Sequence, residues 1–369
     1  MTRTAAAPDD LLSSYDFHVP KALIATRPCE RRDGSRLLAM THGGITHTVF
    51  QRLPQIIPKG SVIVVNDSKV VPSSLSVINE KNRRALELTC VDTEGEAERR
   101  AFVLPARHVE EGDLLRCGEY VLRNDKKDGA QSLFRIAEGP AGFSALLASY
   151  GRPALPPYIV KERKQRGDEA FGEEDFARYQ TVYADAAGSL AAPTAGLHFT
   201  PEILARCEER LCRTVKVTLH VGLGTFAPVK TDDVRDHVMH KERYIVSEEA
   251  AREVNAAGRE GRAVICVGTT AARTLEAAWS KKANAVMPGE AETRLFIRPG
   301  YRFNVADALL TNFHLPKSTL AMLVSTLCGR RRMLSAYECA IEEKYRFFSY
   351  GDACFIVNPS SLHRFSYVQ

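Results

Sequence analysis

The chain has 369 residues, of which 44% are hydrophobic and 26% are charged, and its formal net charge is +5. These values are ordinary for a globular protein, and the length suggests about two domains. No apolar run is long enough to cross a bilayer and the first residues lack a signal-peptide pattern, so we expect a cytoplasmic protein with no membrane partner. The nine cysteines show no C-x-x-C spacing and no H-x-x-x-H occurs, which predicts reduced thiols and no metal site.

The first half of the chain changes from one buried strand to many short ones. Residues 62–65 (VIVV) are β-branched and apolar, as in a central strand. From about residue 75 to 138, short alternating segments between turn clusters predict a small antiparallel barrel or sandwich. The proline-rich GRPALPPYI then leads into VKERKQRGDEAFGEEDF, a charged stretch that we interpret as an exposed loop or linker.

Strands and helices alternate in the second half. Residues 215–221 and 263–268 have strand patterns, and helical patterns occupy 201–212, 247–257, 270–279, 318–328 and 333–345. Thr200 before Pro201 is a good helix cap. We therefore predict an α/β fold whose main domain is formed by both chain ends, residues 1–71 and 151–369, with an inserted antiparallel β-barrel-like domain at 72–150.

Two segments are dense in turn-forming residues, histidine and small hydroxyl residues: SLAAPTAGLHFT (189–200) and TNFHLPKST (311–319). Their prolines and glycine favour loops over core. Thr194, His198, His314 and Lys317 would then offer acid/base groups and hydrogen-bond donors on loops, where functional sites usually lie. A pair of ordinary turns is the alternative.

The segment AVICVGTTAARTLEAA combines a buried strand, a Gly-Thr-Thr turn and a helix start. Free backbone N–H groups, the hydroxyls of Thr269 and Thr270, and the guanidinium of Arg273 suit a carboxylate or phosphate. The alternative is a simple capped helix with Arg273 in a surface ion pair. The spacing is neither the dinucleotide-binding fingerprint nor a P-loop, so neither a dinucleotide nor ATP is indicated.

A second strand end carries His220 followed by Gly222 and Gly224 in VTLHVGLGTF. Glycines allow close approach of the backbone to a flat ligand, although a bulge or tight turn is their commoner use.

Two further segments place polar groups beside strands or aromatic residues. VVNDSKVVP brings Asn66, Asp67 and Lys69 to the end of a buried strand, where ligands gather in α/β sheets. Asp67 would act as a base or hold ribose hydroxyls, or it merely caps the turn. KYRFFSYGDACF carries Tyr350 and Asp352 among aromatic residues that suit a nucleobase or, alternatively, a plain core.

Taken as a set, these motifs resemble the S-adenosylmethionine:tRNA ribosyltransferase-isomerase family of queuosine biosynthesis. The matching segments run almost end to end and include DFHVPKALIATRPCERRDGSRLL, VVNDSKVVP, AAPTAGLHFT, VTLHVGLGTF, VGTTAARTLE, TNFHLPKSTLAMLVS and YRFFSYGDA. The resemblance implies two domains with an inserted barrel. It also implies transfer and isomerisation of the ribosyl group of S-adenosylmethionine onto 7-aminomethyl-7-deazaguanine at the tRNA wobble position, with release of adenine and methionine.

The resemblance also implies tRNA as partner, S-adenosylmethionine as co-substrate and no prosthetic group or metal; we expect a monomer. A base could take the C5′ proton that the sulfonium acidifies. The candidate catalytic residues, which the sequence does not rank, are Asp67, His198, His220 and His314. The candidate substrate-binding residues are Asn66, Lys69, Arg36, Thr194, Gly222, Gly224, Thr269, Thr270, Arg273, Lys317, Tyr350 and Asp352.

The chain departs from the family pattern at four positions. Lys69, Ser74 and Ala227 stand where arginine is usual, and Leu104 where lysine is usual. Lost cations weaken phosphate contacts. Two alternatives therefore stay open: a diverged paralogue that binds tRNA without full activity, and an S-adenosylmethionine-dependent enzyme that acts on a free deazapurine.

Overall fold

The structure is a computed structural model that describes residues 7–92, 95–129, 131–222, 224 and 228–365. Its strands are β1 (Arg36–Thr41), β2 (Gly44–Val49), β3 (Val62–Asn66), β4 (Ser68–Val70), β5 (Ser74–Asn79), β6 (Ala85–Cys90), β7 (Glu98–Leu104), β8 (Leu114–Cys117), β9 (Tyr120–Asp128), β10 (Gln131–Glu138), β11 (Ala186–Ser189), β12 (Arg213–Leu219), β13 (Glu242–Val246), β14 (Val264–Val267), β15 (Trp279–Ser280), β16 (Ala285–Val286), β17 (Gly289–Thr293), β18 (Ala308–Asn312) and β19 (Ala353–Val357). Its α-helices are α1 (Leu53–Ile56), α2 (Phe143–Tyr150), α3 (Pro157–Arg166), α4 (Glu174–Arg178), α5 (Pro201–Glu209), α6 (Glu248–Glu260), α7 (Gly268–Ala278), α8 (Thr319–Cys328) and α9 (Arg330–Glu342).

A mixed nine-stranded sheet forms the body, in the order β17-β13-β12-β3-β14-β18-β19-β1-β2. The four central strands β12, β3, β14 and β18 are parallel, and β19 runs antiparallel to β18 with Asn312 opposite Ala353. The carboxyl ends of the parallel strands therefore share one sheet edge with the amino ends of β19 and β1. This is the edge at which ligands usually bind in open α/β sheets.

Helices cover both faces of the sheet because its central strands are apolar on both sides. Val62 and Val64 pack with α6, α7, α8 and α9 on one face, whereas Ile63 and Val65 pack with α1 and α5 on the other. This alternation follows the period of two residues in a strand. The α/β interpretation is confirmed, and Thr200 caps α5 by accepting from the backbone N–H of Ile203 at 3.3 Å.

Strands β5 to β10 close into an antiparallel barrel in the order β10-β7-β6-β5-β8-β9. Its interior is an apolar cluster of its own, which α2 completes with Phe143, Leu146 and Leu147. The sequence pattern located five of these strands and missed β8, whose four residues are too short to show alternation. The domain boundaries at residues 72 and 150 stay a prediction.

The interpretation of the charged stretch after GRPALPPYI as an exposed loop or linker is wrong in part, because only residues 167–169 in its centre are both non-helical and exposed. Residues 157–166 form α3, with Pro157 in the first turn. The Arg163 side chain is 1% exposed and donates to both carboxylate oxygens of Asp175 in α4, at 2.6 and 2.9 Å. Composition alone suggested solvent exposure, because it does not reveal that two of these charges neutralise each other in the interior.

The interpretation of 189–200 and 311–319 as loops outside the core is also wrong in part. Thr311 and Asn312 end the buried strand β18, and residues 194–198 form a short 3-10 helix. His198 is only 5% exposed and His314 only 9%. The prolines and glycine in these segments do end helices and strands. The apolar residues between them are nevertheless buried, so both segments pack into the protein interior.

Candidate active site

The ends of the parallel strands open into a cavity of about 400 Å³, within the usual size range of small-molecule sites. Its wall is built mainly by four segments, residues 192–195, 268–270, 311–318 and 348–349. Residues 268–270 and 313–318 follow the parallel strands β14 and β18, and residues 348–349 precede β19, whose amino end lies at the same edge of the sheet.

Helix α7 begins directly at this cavity. Gly268 has a φ of +85°, a conformation that favours glycine, and it lets the chain turn from β14 into the helix without an intervening loop. No side chain caps the helix, so its first N–H groups remain free. Thr270 is 8% exposed and its Oγ1 has no hydrogen-bond partner. An anionic group would satisfy these donors and the helix dipole.

Asn312 also lines the cavity and was not among the residues predicted from the sequence. Its Nδ2 donates to Nε2 of His198 at 3.3 Å and to the carbonyl oxygen of Phe348 at 3.2 Å, which sets the orientation of the amide. Its Oδ1 is buried without a partner. Buried polar atoms are normally paired, so this oxygen is expected to meet an N–H group of a ligand. A polar residue that ends an apolar strand was the available signal.

His314 is the one of the four candidate acid/base residues that lines the cavity. Its Nε2 lies 2.8 Å from the hydroxyl of Thr311, and its backbone N–H donates to Tyr337 at 3.1 Å. Burial lowers the pKa of His314 to about 3, so the imidazole is neutral near pH 7.

Four predicted binding residues join His314 in this wall: Thr194, Thr269, Thr270 and Lys317. Lys317 has a φ of +56° and its ammonium group pairs with Asp16 at 2.6 Å. The pair is about half exposed, so the lysine can exchange this partner for a ligand anion at little cost.

A second, narrow cavity of about 40 Å³ is lined by Gly222, Gly224 and Arg273. It shares the side chain of Leu320 with the large cavity. The alternative of a surface ion pair for Arg273 is wrong: the side chain is 5% exposed and pairs with buried Glu242. Its Nη2 has no partner, so one donor of the guanidinium is still free.

A third cavity, of about 20 Å³, is lined by residues that include His198 and Tyr350. Nδ1 of His198 lies 2.8 Å from Oγ of Ser35. Burial, together with the charges of nearby arginines, lowers the pKa of His198 to about 3. Tyr350 donates to Asp175 at 3.1 Å and so belongs to the buried ion pair described above. Three arginine side chains, those of Arg32, Arg178 and Arg346, also line this cavity.

Asn66, Asp67, Lys69 and His220 do not line these three cavities. Asn66 bonds both backbone groups of Leu219 at 3.0 Å and thereby joins the ends of β3 and β12. Asp67 accepts from a threonine hydroxyl at 2.7 Å, and Lys69 is exposed. Burial and a neighbouring arginine lower the pKa of His220, whose Nδ1 is unpartnered. Their functional roles stay predictions.

Asp352 and Arg36 lie at the amino ends of β19 and β1. The Asp352 carboxylate is 2% exposed and accepts from the backbone N–H of Arg36 at 3.1 Å and of Arg346 at 2.8 Å. The guanidinium of Arg36 lies 3.8 Å from the centre of the Tyr345 ring. These contacts hold the two strand ends together, and a direct role in substrate binding stays a prediction.

Three of the four departures from the family pattern can be located. Lys69 is exposed, Ser74 begins β5 in a buried position, and Leu104 is 61% exposed at the end of β7. Ala227 lies outside the described residues.

The described residues contain no group of three or more side chains placed to hold a metal ion. All nine cysteines are free thiols. No helix in the described part of the chain is both long and apolar enough to cross a membrane.

The fold and the site define an α/β protein with a ligand-sized cavity at the carboxyl ends of its parallel strands and a closed antiparallel barrel inserted in the chain between β4 and β11. A sequence model described as queuosine biosynthesis protein matches residues 12–356, and the chain belongs to this family.

Individual relatives agree with this assignment. The chain is 42% identical over 354 residues to an S-adenosylmethionine:tRNA ribosyltransferase-isomerase of Natranaerobius thermophilus, across 94% of this chain and 99% of that protein. A protein of the same name from Maricaulis maris is 43% identical, across 94% and 98%. The crystal structure of an S-adenosylmethionine tRNA ribosyltransferase from Thermotoga maritima is 28% identical, with a TM-score of 0.52, and the match covers 94% of this chain and all of that one. The family resemblance seen in the motifs is confirmed.

Proposed function

We propose that this chain is an S-adenosylmethionine:tRNA ribosyltransferase-isomerase. It transfers and isomerises the ribosyl moiety of S-adenosylmethionine onto 7-aminomethyl-7-deazaguanine at the tRNA wobble position, giving epoxyqueuosine-tRNA and releasing adenine and methionine. The observation that carries this proposal within the structure is the cavity beside the uncapped start of α7, whose lining residues Thr270 and Asn312 each have a buried oxygen without a hydrogen-bond partner. The names of the relatives agree with it.

S-adenosylmethionine supplies the groups that this cavity lacks. Its carboxylate suits the free N–H groups of α7 and the hydroxyl of Thr270. Its amino groups, on the methionine and on the adenine, are N–H donors suited to Asn312 Oδ1. The apolar part of the wall, which includes Phe313 and Leu315, suits the flat face of the adenine ring.

Among the acid/base candidates we assign the proton transfer to His314, because it lines the cavity. Since burial keeps its imidazole neutral, a ring nitrogen can accept the C5′ proton that the sulfonium acidifies. The imidazolium formed in this step can later return that proton and so becomes the neutral imidazole again. His198 acts indirectly in this scheme, by holding the amide of Asn312.

We also propose that residues 72–150 form a unit that can shift relative to the body, in a monomeric cytoplasmic protein. The barrel and α2 share a separate apolar cluster. Where the chain enters and leaves the barrel, Ser74 and Arg152 exchange backbone hydrogen bonds of 2.9 and 2.8 Å. The tRNA partner is long enough to contact both parts.

The test is adenine release from S-adenosylmethionine by the purified protein. We expect release with tRNA that carries the deazaguanine precursor and none with tRNA that lacks it. Release with the free deazapurine alone would instead indicate an enzyme that acts on the small molecule. Binding of precursor-bearing tRNA without any adenine release would indicate the diverged paralogue.

A further inference from the structure

Three arginine side chains surround the small cavity beside the candidate active site. Arg32, Arg178 and Arg346, which we call the arginine pocket, line this space of about 20 Å³ together with His198. A single water needs roughly 10–15 Å³ measured in this way. The space therefore admits one or two oxygen-sized atoms and is too small for a nucleobase.

The positive charge of the arginine pocket is largely uncompensated. Arg32 donates to the carbonyl oxygens of Ala177 at 2.8 Å and Leu197 at 3.3 Å, and Arg178 donates only to backbone carbonyls. Neither has a carboxylate within ion-pair distance among the described residues, whereas Arg346 pairs with Asp352 at 3.1 Å.

One of the guanidinium groups that line the pocket also has an unsatisfied donor. Nε of Arg178 is buried and has no hydrogen-bond partner. A guanidinium that is partly withdrawn from water and lacks an acid is costly unless an anion supplies the missing charge and acceptors. The positive field is felt nearby: after burial, the charges of Arg346 and Arg32 are the causes that lower the pKa of His198.

The arginine pocket adjoins the large cavity. Ser349 lines both spaces. His198 lines the pocket, and its Nε2 accepts from Asn312, which lines the large cavity, at 3.3 Å. An anion held by the arginines would therefore lie directly beside whatever occupies the large cavity.

We propose that the arginine pocket binds a phosphodiester group of the RNA backbone, next to the nucleotide that receives the ribosyl group. This inference rests on the proposed function and names a contact surface for its RNA substrate. The fork of an arginine matches two phosphate oxygens, and such contacts position the nucleic acid without reading its sequence. Because the pocket admits only one or two oxygen-sized atoms, the non-bridging oxygens of the phosphate would enter it, and the adjoining nucleoside would lie at the mouth of the large cavity.

The test measures binding of the full-length protein to a precursor-bearing anticodon stem-loop RNA at several salt concentrations. The variants are Arg178→Gln and Arg32→Gln, with Arg259→Gln, an exposed residue of α6, as the matched control. We expect each pocket variant to weaken RNA binding roughly 10- to 100-fold. The salt slope should fall by about one, while binding of S-adenosylmethionine alone is unchanged. The control should behave as wild type.

A second arm uses the wild-type protein and does not depend on the folding of any variant. Single uncharged methylphosphonates replace the phosphates on either side of the modified nucleotide. We expect one position to weaken wild-type binding and to cause no further loss in Arg178→Gln. Inorganic phosphate should compete with the RNA and not with S-adenosylmethionine.

Three results would overturn the inference: pocket variants that bind RNA like Arg259→Gln, flanking methylphosphonates without effect on wild type, or inorganic phosphate that displaces only S-adenosylmethionine. Failure of the proposed function is distinguishable, because it would show as absent adenine release. Even then, loss of RNA binding on replacing the pocket arginines would support the proposal that the arginine pocket binds a backbone phosphate.

Discussion

Asn312 donates its Nδ2 hydrogen bond to Nε2 of His198 across 3.3 Å, so the end of β18 and the 3-10 helix at residues 194–198 hold each other in place. Because Nε2 accepts, Nδ1 of His198 carries the proton and donates to Ser35 at 2.8 Å. The amide thereby turns its unpartnered oxygen away from His198. One residue pair thus connects the arginine pocket to the large cavity.

Replacement of His314 by Gln is expected to lower kcat by about 100- to 10,000-fold, the usual contribution of a positioned acid/base group. S-adenosylmethionine binding should change much less. The measurement is adenine release at saturating substrates, with His42→Gln as control, because His42 is exposed between β1 and β2. A His314→Gln enzyme with wild-type kcat would remove this residue from the chemistry.

Thr270→Val is expected to weaken S-adenosylmethionine binding by about 1–1.5 kcal/mol, since it removes a hydroxyl that has no partner within the protein. For the same reason the free energy of unfolding should fall by less than about 1 kcal/mol. Calorimetry and urea denaturation give the two values. Thr274→Val, one turn further along α7, is the control: its hydroxyl already donates to the carbonyl oxygen of residue 270 at 2.9 Å, so ligand affinity should not change.

The free energy of unfolding should decrease as the pH falls below about 6.5. His198 and His314 titrate near pH 3 in the folded protein and near 6.5 when unfolded, so the unfolded chain binds more protons between these values. At pH 5 each histidine costs about 2 kcal/mol relative to neutral pH. Urea denaturation at pH 7.5 and pH 5 checks this. The difference should shrink in His314→Gln and persist in His42→Gln; equal differences in both would contradict the assignment.

Arg273→Met is expected to destabilise the protein by about 3–5 kcal/mol, because it removes one member of a buried ion pair. The double variant Arg273→Met with Glu242→Leu should recover part of this loss, because both charges of the pair are then absent. Urea denaturation of the two variants measures it. If the double variant is stable but binds S-adenosylmethionine like wild type, the predicted contact between Arg273 and the methionine carboxylate is absent.

Adenine release should survive exhaustive treatment with EDTA, since the cysteines and histidines of the sequence show no metal-ligand spacing. Turnover before and after chelation and buffer exchange measures this. Loss of activity that added zinc restores would contradict the expectation. Magnesium needed to fold the tRNA is controlled by testing the RNA separately.

Local patterns were sufficient for much of the fold. The all-apolar run at 62–65 became β3, and capped amphipathic runs became α5, α6, α8 and α9 near their predicted positions. Strands β1, β2, β13, β17, β18 and β19 were not recognised. β2 and β17 are exposed edge strands without an apolar pattern, whereas β18 and β19 are five-residue buried runs that periodicity alone does not distinguish from a helix segment.

Some features of the candidate site could likewise be predicted from local sequence, and others could not. Sequence by itself provided a set of candidate residues and predicted that 268–270 starts a helix with free N–H groups, because helix starts and polar strand ends are local features. Only the tertiary structure decided that Thr194, Thr270 and His314 meet in one cavity, while Asp352 holds strand ends and Arg163 pairs in the interior. Burial and charge pairing depend on residues distant in the chain, so the same side chain is a ligand contact in one setting and a structural bond in another.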